Sequence, residues 1–242
     1  MKGASERPAS PARARSTSGV EAARPKAERL EQPSDGARRD DPPRERQPVN
    51  GLLVIISAPS GAGKDAVIEG LLRELDDVTL YVTATSRAPR PGEVHGRHYY
   101  FYSPQKFREE IEHGNFLEWS VVHSEYKGVR GDAVADALRR NRIVLVKPDP
   151  QGMRKLKAVL PGALTIFIQP PSLDSLRRRL VGRGTETPES LELRMKNAEI
   201  EMAAAPEYDH VVVNEDGELE RTVSEVAAII RKEAERPRTY SL

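Results

Sequence analysis

A glycine-rich stretch near residue 60 has the residue types and spacing of a phosphate-binding loop. It lies between a run of apolar residues and a run with helical spacing, and its members are Ser57, Ala58, Pro59, Ser60, Gly61, Ala62, Gly63 and Lys64. Gly61 and Gly63 allow the backbone to approach phosphate, while successive amides, a helix N-terminus and Lys64 supply positive charge. We therefore predict a phosphate-binding loop; the alternative is a plain strand-to-helix turn.

Two positions depart from the usual phosphate-loop pattern, G-x-x-x-x-G-K-[ST]. Ala58 stands where the first glycine is expected, and Asp65 stands where a Mg²⁺-binding hydroxyl is expected. A carboxylate is also a hard oxygen ligand, but it adds negative charge beside a triphosphate. We expect Mg²⁺ to be held by Asp65 directly, through water, or by the nucleotide alone, and these alternatives stay open.

A second group of residues with phosphate chemistry follows about 20 residues later. Arg87 and Arg90 are three positions apart with Pro89 between them, so their guanidinium groups could converge on one phosphate. Arginine forks match phosphate oxygens better than lysine does, and Tyr99 could add a hydroxyl donor. The alternative is a solvated charged turn.

The elements that must position these residues alternate between strand and helix. Short apolar runs predict strands at 52–56, 80–85, 143–146, 164–168 and 210–213. Helical spacing predicts helices at 65–75, 104–113, 131–140, 150–159, 172–181, 187–204 and 219–235. This alternation indicates an α/β fold, with a parallel sheet covered by helices on both faces. Residues 87–130 differ, being rich in Gly, Pro, Tyr and charge, and we predict an inserted, partly β unit that faces substrate.

Composition excludes several classes of protein. The 242 residues carry 38 Lys+Arg against 37 Asp+Glu, a net charge of +1, so no overall field attracts nucleic acid or an anionic membrane. No apolar run approaches the ~18 residues that a membrane span needs. With no cysteine there are no disulfides, thiol catalysis or Cys-ligated metals. We expect a cytoplasmic protein with small-molecule partners, no nucleic-acid or membrane partner, and no predicted oligomeric state.

Both ends of the chain differ from its middle. Residues 1–50 contain 7 of the 19 prolines, 11 Lys+Arg, 8 Asp+Glu and no aromatic residue, so we predict a disordered tail. A transit peptide is the alternative, but eight acidic residues argue against it. We place one domain at 51–235 and a C-terminal tail at 236–242.

At this point the ordered motifs resemble the guanylate kinases, which phosphorylate GMP with ATP. Besides the phosphate loop, they are 85–93 (TSRAPRPGE), 96–101 (GRHYYF), 116–119 (FLEW), 149–152 (DPQG), 182–185 (GRGT) and 211–214 (VVVN). The resemblance covers 51–235 and implies a P-loop kinase with a mixed α/β GMP-binding unit at about 84–131 and a helical lid at about 178–200. Asp65 and the segments 126–129 and 185–187 are closer to the plant organellar branch.

The resemblance implies which residues hold the GMP phosphate. Residues matching Arg87, Arg90 and Tyr99 bind it in the family. A family tyrosine that helps them is replaced by Lys127, although Tyr126 is adjacent. Because lysine also binds phosphate, we expect Lys127 to take that place.

The resemblance also implies how the base is read. Glu118 lies in an apolar setting, and its carboxylate could accept from both N1–H and N2–H₂ of guanine, which adenine cannot offer; the alternative is an ordinary exposed strand residue. Thr83 matches a hydroxyl position near the base. Two family contacts have changed: Val129 replaces a hydroxyl, and Lys147 replaces an acid. Lysine cannot accept from guanine, but it could approach O6 or N7.

The remaining roles concern phosphoryl transfer. Asp149 follows a strand opposite the phosphate loop and, with Asp65, could hold Mg²⁺ or its waters. In the family, arginines matching Arg183 and Arg194 close over the transferring group, so with Lys64 these are our catalytic residues. Asn214, at the end of the last strand, is expected to contact adenine.

These residues give three functional hypotheses. The first is ATP:GMP phosphotransfer with ATP and Mg²⁺. The second keeps the reaction but changes the acceptor, for example to a sugar phosphate, because Val129 and Lys147 alter guanine reading. The third is a kinase-like binding module that has lost catalysis, suggested by Ala58 and Asp65. Retention of Lys64 argues against the third hypothesis, since a module that only binds other molecules needs no lysine to hold a triphosphate.

Overall fold

The computed structural model describes residues 47–90, 92–122, 124–182, 187–236 and 238–242, which belong to one compact unit. The strands are β1 (Pro48–Asn50), β2 (Leu52–Ser57), β3 (Val78–Leu80), β4 (Ala84–Thr85), β5 (Tyr100–Phe101), β6 (Phe116–Val122), β7 (Glu125–Arg130), β8 (Ile143–Val146), β9 (Leu164–Gln169), β10 (His210–Val213) and β11 (Thr239–Ser241). The helices are α1 (Lys64–Glu74), α2 (Pro104–Glu112), α3 (Gly131–Arg140), α4 (Pro150–Val159), α5 (Leu173–Val181), α6 (Pro188–Met202) and α7 (Leu219–Ala234), with one 3₁₀ turn (Ala205–Glu207).

A five-stranded parallel sheet forms the core, in the order β10-β9-β2-β8-β3. The inner strands β9, β2 and β8 are mainly apolar and buried because both of their faces are covered, whereas the edge strands β10 and β3 are partly exposed. Leu53 and Ile55 point into a layer shared with α3 and α4, whereas Val54 and Ile56 point into a layer shared with α1 and α7. The predicted α/β fold with a helix-flanked parallel sheet is confirmed. Within the described part of the chain, no helix is long and apolar enough to cross a membrane.

A second sheet, in the order β5-β4-β7-β6, is built by the segment between β3 and α3. The α2 helix packs on it through Phe107, which stacks on Phe116 at 4.4 Å and on Tyr126 at 5.3 Å between ring centroids. Ser103 caps α2 by accepting from the Lys106 amide. This is the mixed α/β insertion that the composition of 87–130 indicated.

The predicted strand 80–85 is wrong, because this segment is split between the two sheets. Residues 78–80 pair with β8, and residues 84–85 pair with β5 and β7. Between them Tyr81 turns inward, and its hydroxyl accepts from the Arg130 amide at 2.8 Å. The buried tyrosine therefore fixes the point at which the chain leaves the core sheet.

The predicted domain boundaries also need correction at both ends. Residues 48–50, placed in the N-terminal tail, pair antiparallel with residues 239–241, placed in the C-terminal tail. Tyr240 explains the pairing, because its ring is buried and its hydroxyl accepts from the Leu53 amide at 3.1 Å. Tyr240 is an isolated hydrophobic residue in a polar segment, so the sequence around it has no periodic pattern that would predict a strand. The disorder predicted for 1–46 lies outside the described residues.

Candidate active site

The glycine-rich stretch lies at the carboxyl edge of the sheet, between β2 and α1. Gly61 and Gly63 adopt left-handed φ angles of 95° and 94°, and Gly63 directly precedes the first residue of α1. A Cβ on Gly63 would lie 2.4 Å from Asn214 Nδ2, so only glycine fits there. The amides of this turn and the start of α1 suit an anion, and phosphate binding at this loop remains a prediction.

Two side chains from neighbouring elements hold the loop in this shape. Asn214 Nδ2 donates to the Ala62 carbonyl at 2.8 Å, and Arg179 donates to the same carbonyl at 3.3 Å. Thr222 donates to Asn214 Oδ1 at 3.1 Å, while Asp216 anchors the Arg179 guanidinium. The hydrogen bonds from Ser175 and Arg179 lower the pKa of Asp216 to about 2. Sequence reasoning missed this brace, which had no local motif.

Asn214 has structural hydrogen bonds of its own, whatever its relation to adenine. It is buried, and both its amide nitrogen and its amide oxygen are used inside the protein. Satisfying buried polar atoms favours this fixed geometry over exchange with a ligand. Asn214 supports the loop from behind, and its predicted contact with adenine remains a prediction.

Lys64 lies where acidic and basic groups meet. Burial lowers the pKa of its ammonium, and the charge of Lys147 acts in the same direction. Asp65, Glu201 and Asp149 oppose that effect by favouring the charged form. Glu201, near the end of α6, has a pKa raised by burial, while Lys64 favours its charged form. Sequence analysis did not identify Glu201 as a neighbour of the loop lysine.

The two residues that depart from the family pattern contact each other. Lys147 Nζ lies 2.8 Å from Asp65 Oδ1, where it forms a hydrogen-bonded ion pair. Lys147 follows β8, the strand next to β2, so the pair joins the end of β8 to the first turn of α1 at the carboxyl edge of the sheet. Lys147 is therefore directed to the donor side, and an approach to guanine O6 or N7 remains a prediction.

Asp149 lies close to the loop but also has a structural task. Its Oδ1 accepts from the Gly152 amide at 2.8 Å and so caps α4, with Pro150 at the first helical position. The preceding carbonyl, of Pro148, accepts from Ser57 Oγ at 3.0 Å. Proline at 148 and 150 therefore fits a strand end followed by a helix start.

The carboxylates of Asp65 and Asp149 fit a magnesium ion by chemistry, since Mg²⁺ prefers hard oxygen ligands. Among the described residues, no group of three or more side chains that could hold a metal ion is found. A nucleotide-bound Mg²⁺ takes most of its ligands from phosphate oxygens and water. Either carboxylate could add one ligand or hold a water.

Glu118 lies on β6, facing the start of α4. Only 6% of the residue is exposed, and its Oε2 has no hydrogen-bond partner among the described residues. Burial raises the pKa of this carboxyl to about 7, and Asp149 adds to the effect while Lys155 opposes it. Gly152 leaves room beside it, since a Cβ there would come within 3.3 Å of Oε1. An unpaired buried acceptor is costly, so this carboxyl is suited to a ligand with N–H donors.

The predicted phosphate-binding arginines surround one acidic residue. Both terminal nitrogens of Arg87 contact Glu93, at 2.5 and 2.6 Å, and the Arg90 amide donates to Glu93 at 2.7 Å. These contacts lower the pKa of Glu93 to about 2 and raise the pKa of Arg87. Arg87 also lies 4.9 Å above the Tyr99 ring. Arg87, Arg90 and Tyr99 are thus brought together, with Glu93 as an orienting residue that had been given no role.

The other predicted acceptor-side residues lie on the second sheet. Lys127 is half-buried on β7 opposite Thr85, while neighbouring Tyr126 is buried against Phe107. Alternation along a strand therefore removes Tyr126 from the Lys127 face. Val129 pairs with Glu118 in the antiparallel register and is buried. Thr83 precedes β4 and is half-buried, so its hydroxyl contact with guanine stays a prediction.

Two helices form the predicted lid region. Arg194, on α6, donates to Ser60 Oγ of the loop at 3.0 Å. Thr187 caps α6 through the Ser190 amide, and α5 packs on α6 through Leu176, Leu180 and Met195. The predicted catalytic Arg183 lies outside the described residues. Of the two expected arginines, Arg194 is placed at the loop.

A parallel α/β core, a glycine-rich loop before α1, a lysine at its end and an arginine from a neighbouring helix define a P-loop kinase. The sequence model of one family, described as Guanylate kinase, matches residues 50–233. The chain belongs to the guanylate kinase family.

Curated relatives agree with this assignment. A guanylate kinase from Clostridioides difficile (strain 630) is 40% identical over 190 residues, which cover 78% of this chain and 92% of the relative. One from Mycolicibacterium paratuberculosis is 42% identical over 183 residues, covering 75% and 81%. The crystal structure of guanylate kinase from Anaplasma phagocytophilum matches with a TM-score of 0.63 at 29% identity, covering 78% of this chain and 88% of that one. These relatives are bacterial, and the organellar resemblance stays a prediction.

Proposed function

We propose that the protein transfers the γ-phosphoryl group of ATP to GMP, giving ADP and GDP, with its donor site at residues 57–65 and its acceptor site on the second sheet. The observation that carries the acceptor assignment is Glu118, a buried carboxyl whose Oε2 lacks a partner within the described chain. Guanine offers two adjacent donors, N1–H and N2–H₂, to such an acceptor pair. Adenine would leave the carboxyl unsatisfied, which is a strong basis for rejection.

On the donor side, the loop amides and Lys64 would bind the β- and γ-phosphates. The brace of Asn214 and Arg179 on the Ala62 carbonyl supports this role, because it fixes the loop before the nucleotide binds. Asp65 or Asp149 would hold Mg²⁺ directly or through water, and the ion would supply charge neutralisation at the phosphates. Preformed donors need little reorganisation as charge develops.

On the acceptor side, Arg87, Arg90, Tyr99 and Lys127 would hold the GMP phosphate. Glu93 supports this proposal, since it clamps the Arg87 guanidinium over Tyr99 and fixes the turn through the Arg90 amide. The GMP phosphate attacks as an anion, so no general base is required. Catalysis would come from positioning and charge neutralisation, with Arg194 and Arg183 completing the site.

The test is ADP release from Mg-ATP by purified protein across GMP, dGMP, AMP, UMP, CMP and ribose phosphates. We expect turnover with GMP at least 100-fold above AMP, because AMP leaves the buried carboxyl unpaired. A matched variant, Glu118→Gln, should lose this preference while keeping ATP binding. Turnover confined to a sugar phosphate would contradict the proposal for the acceptor, and folded protein that binds ATP without any turnover would contradict it for the reaction.

A further inference from the structure

The ion pair between Asp65 and Lys147 joins two departures from the family pattern that are 82 residues apart in sequence. The Asp65 side chain is 72% exposed and Lys147 is 28% exposed, with 2.8 Å between Nζ and Oδ1. An ion pair this exposed contributes little to folding stability. Because the pair lies at the phosphate loop, its main effect would be on the charge that an incoming phosphate group meets.

Asp65 places a negative charge in the first turn of α1, directly after Lys64. A carboxylate there stabilises the helix but repels an incoming triphosphate, which needs the same helix N-terminus. Lys147 offsets the charge of Asp65, so that Lys64, Asp65 and Lys147 together carry +1, with the acidic Glu201 and Asp149 beside them. The charges of Asp65, Lys147, Glu201 and Asp149 all act on the pKa of Lys64, so these groups share one electrostatic environment.

The segment that carries Lys147 is held against the loop. Ser57, at the end of β2, donates to the Pro148 carbonyl, and Asp149 is fixed as the cap of α4. Lys147 therefore extends from an anchored strand end and draws the Asp65 carboxylate toward β8. A neutral side chain at 147 would remove this positive charge from beside the Asp65 carboxylate.

We propose that Lys147 is a positioning residue of the donor site that acts through Asp65, by neutralising its carboxylate and holding it toward β8 so that the loop accepts a triphosphate. This inference rests on the proposed donor role of residues 57–65. It assigns Lys147 to the ATP site rather than to guanine. It also implies that Asp65 and Lys147, the two residues that differ from the family pattern, depend on each other.

The experiment is a double-mutant cycle on ATP binding, measured by calorimetry on the full chain without acceptor. The variants are Lys147→Met, Lys147→Arg, Asp65→Ser and Asp65→Ser/Lys147→Met. We expect Lys147→Met to weaken Mg-ATP binding about fivefold to tenfold, because one positive charge beside the loop is lost. Lys147→Arg keeps that charge, so its affinity for Mg-ATP should stay within about twofold of that of the native protein. In the Asp65→Ser background, Lys147→Met should change affinity by less than about twofold.

Several results would overturn the proposal. An equal loss in both backgrounds would mean that Lys147 acts on the nucleotide directly. A loss confined to the KM for GMP would assign Lys147 to guanine, and unchanged ATP affinity in Lys147→Met would leave it with no donor-side role. Lys157→Met is the control, because Lys157 forms a similar 2.8 Å pair with Asp209 that the site does not include. Because ATP binding is measured without acceptor, a protein that binds ATP but does not phosphorylate GMP would contradict the proposed function and not this inference.

Discussion

Arg194 on α6 donates to Ser60 Oγ of the phosphate loop across 3.0 Å. This contact joins the lid region to the proposed donor site. A guanidinium at that point would be within reach of the transferring phosphoryl group, where positive charge is most useful as the transition state forms.

Arg194→Met should therefore lower kcat about 100-fold or more with a small change in the KM for ATP, because the charge acts mainly in the transition state. Steady-state kinetics with Mg-ATP and GMP measure this. Arg177→Met is the matched control, since Arg177 forms an exposed pair with Glu192 across the same two helices. Equal losses in the two variants would indicate that helix packing, rather than charge at the loop, is responsible.

Glu118→Gln should lower kcat/KM for GMP about 100-fold, because an amide cannot accept from both guanine donors. The same change should stabilise the free protein at high pH. Burial raises the pKa of Glu118 to about 7 from the usual 4.5, so the folded state binds the proton more tightly than the unfolded state. Stability from this group is complete below pH 4.5 and is lost as the pH rises toward 7.

The stability part is measured by denaturant unfolding at pH 5 and pH 8. The gain of Glu118→Gln over the native protein should be larger at pH 8, by roughly 2 kcal/mol. Glu109→Gln is the matched control, because the Glu109 side chain on α2 is 42% exposed. A gain that is equal at both pH values would argue against a raised pKa at Glu118.

GMP binding should strengthen as the pH rises through 7. The raised pKa of Glu118, about 7, leaves the carboxyl mostly neutral at pH 6, whereas only the carboxylate accepts from both guanine donors. We expect the apparent Kd for GMP to fall about tenfold from pH 6 to pH 8. Calorimetry should also detect proton release at pH 6.5. Glu118→Gln serves as the reference for ionisation of the GMP phosphate, and an identical pH profile in that variant would refute the assignment.

Gly63→Ala should damage the donor site. Gly63 has a φ of 94°, and an added Cβ would lie 2.4 Å from Asn214 Nδ2, so the brace on Ala62 must shift. We expect a loss of about 2 kcal/mol in unfolding free energy and ATP binding weakened at least tenfold. Gly162→Ala is the control, because its Cβ would meet only Tyr240 at an ordinary 3.5 Å. Unchanged ATP affinity in Gly63→Ala would contradict a rigid, preformed loop.

Tyr240→Phe should destabilise the whole domain although it lies near the C-terminus. The hydroxyl accepts from the buried Leu53 amide and donates to the Gly162 carbonyl at 3.3 Å, so its removal leaves a strand amide unpaired. We expect a loss of about 1–3 kcal/mol, measured by thermal or denaturant unfolding. Thr239→Ala, on the exposed side of the same strand, should cost less than about 1 kcal/mol. A neutral Tyr240→Phe would mean that the hydrogen bond from the Leu53 amide contributes nothing to the stability of the domain.

Much of the fold could be predicted because its signals are local. The runs that became β2, β8 and β9 are mainly apolar, as strands buried on two faces must be, and the Val211–Val213 run marked the edge strand β10. The helices α3 and α4 have the predicted bounds, because helical spacing and start signals such as Asp149-Pro150 lie within a few residues. The phosphate loop was predictable for the same reason, since its glycines, lysine and flanking elements are contiguous.

Other features depend on contacts between distant residues. The segment 80–85 is split because the Tyr81 hydroxyl accepts from the Arg130 amide. The terminal segments are held in the fold because the Tyr240 hydroxyl accepts from the Leu53 amide. Neither contact leaves a periodic pattern, because each depends on a single buried aromatic residue.

The sequence by itself determined the residue types of the donor and acceptor sites, including Lys64, Arg87 and Glu118. Only the tertiary structure decided how they are held: Asn214 behind the loop, Glu93 around Arg87, and Lys147 on Asp65. Side-chain chemistry is a property of each residue, whereas pairing depends on which strand ends become neighbours. In a parallel sheet that order is set by the packing of the whole core.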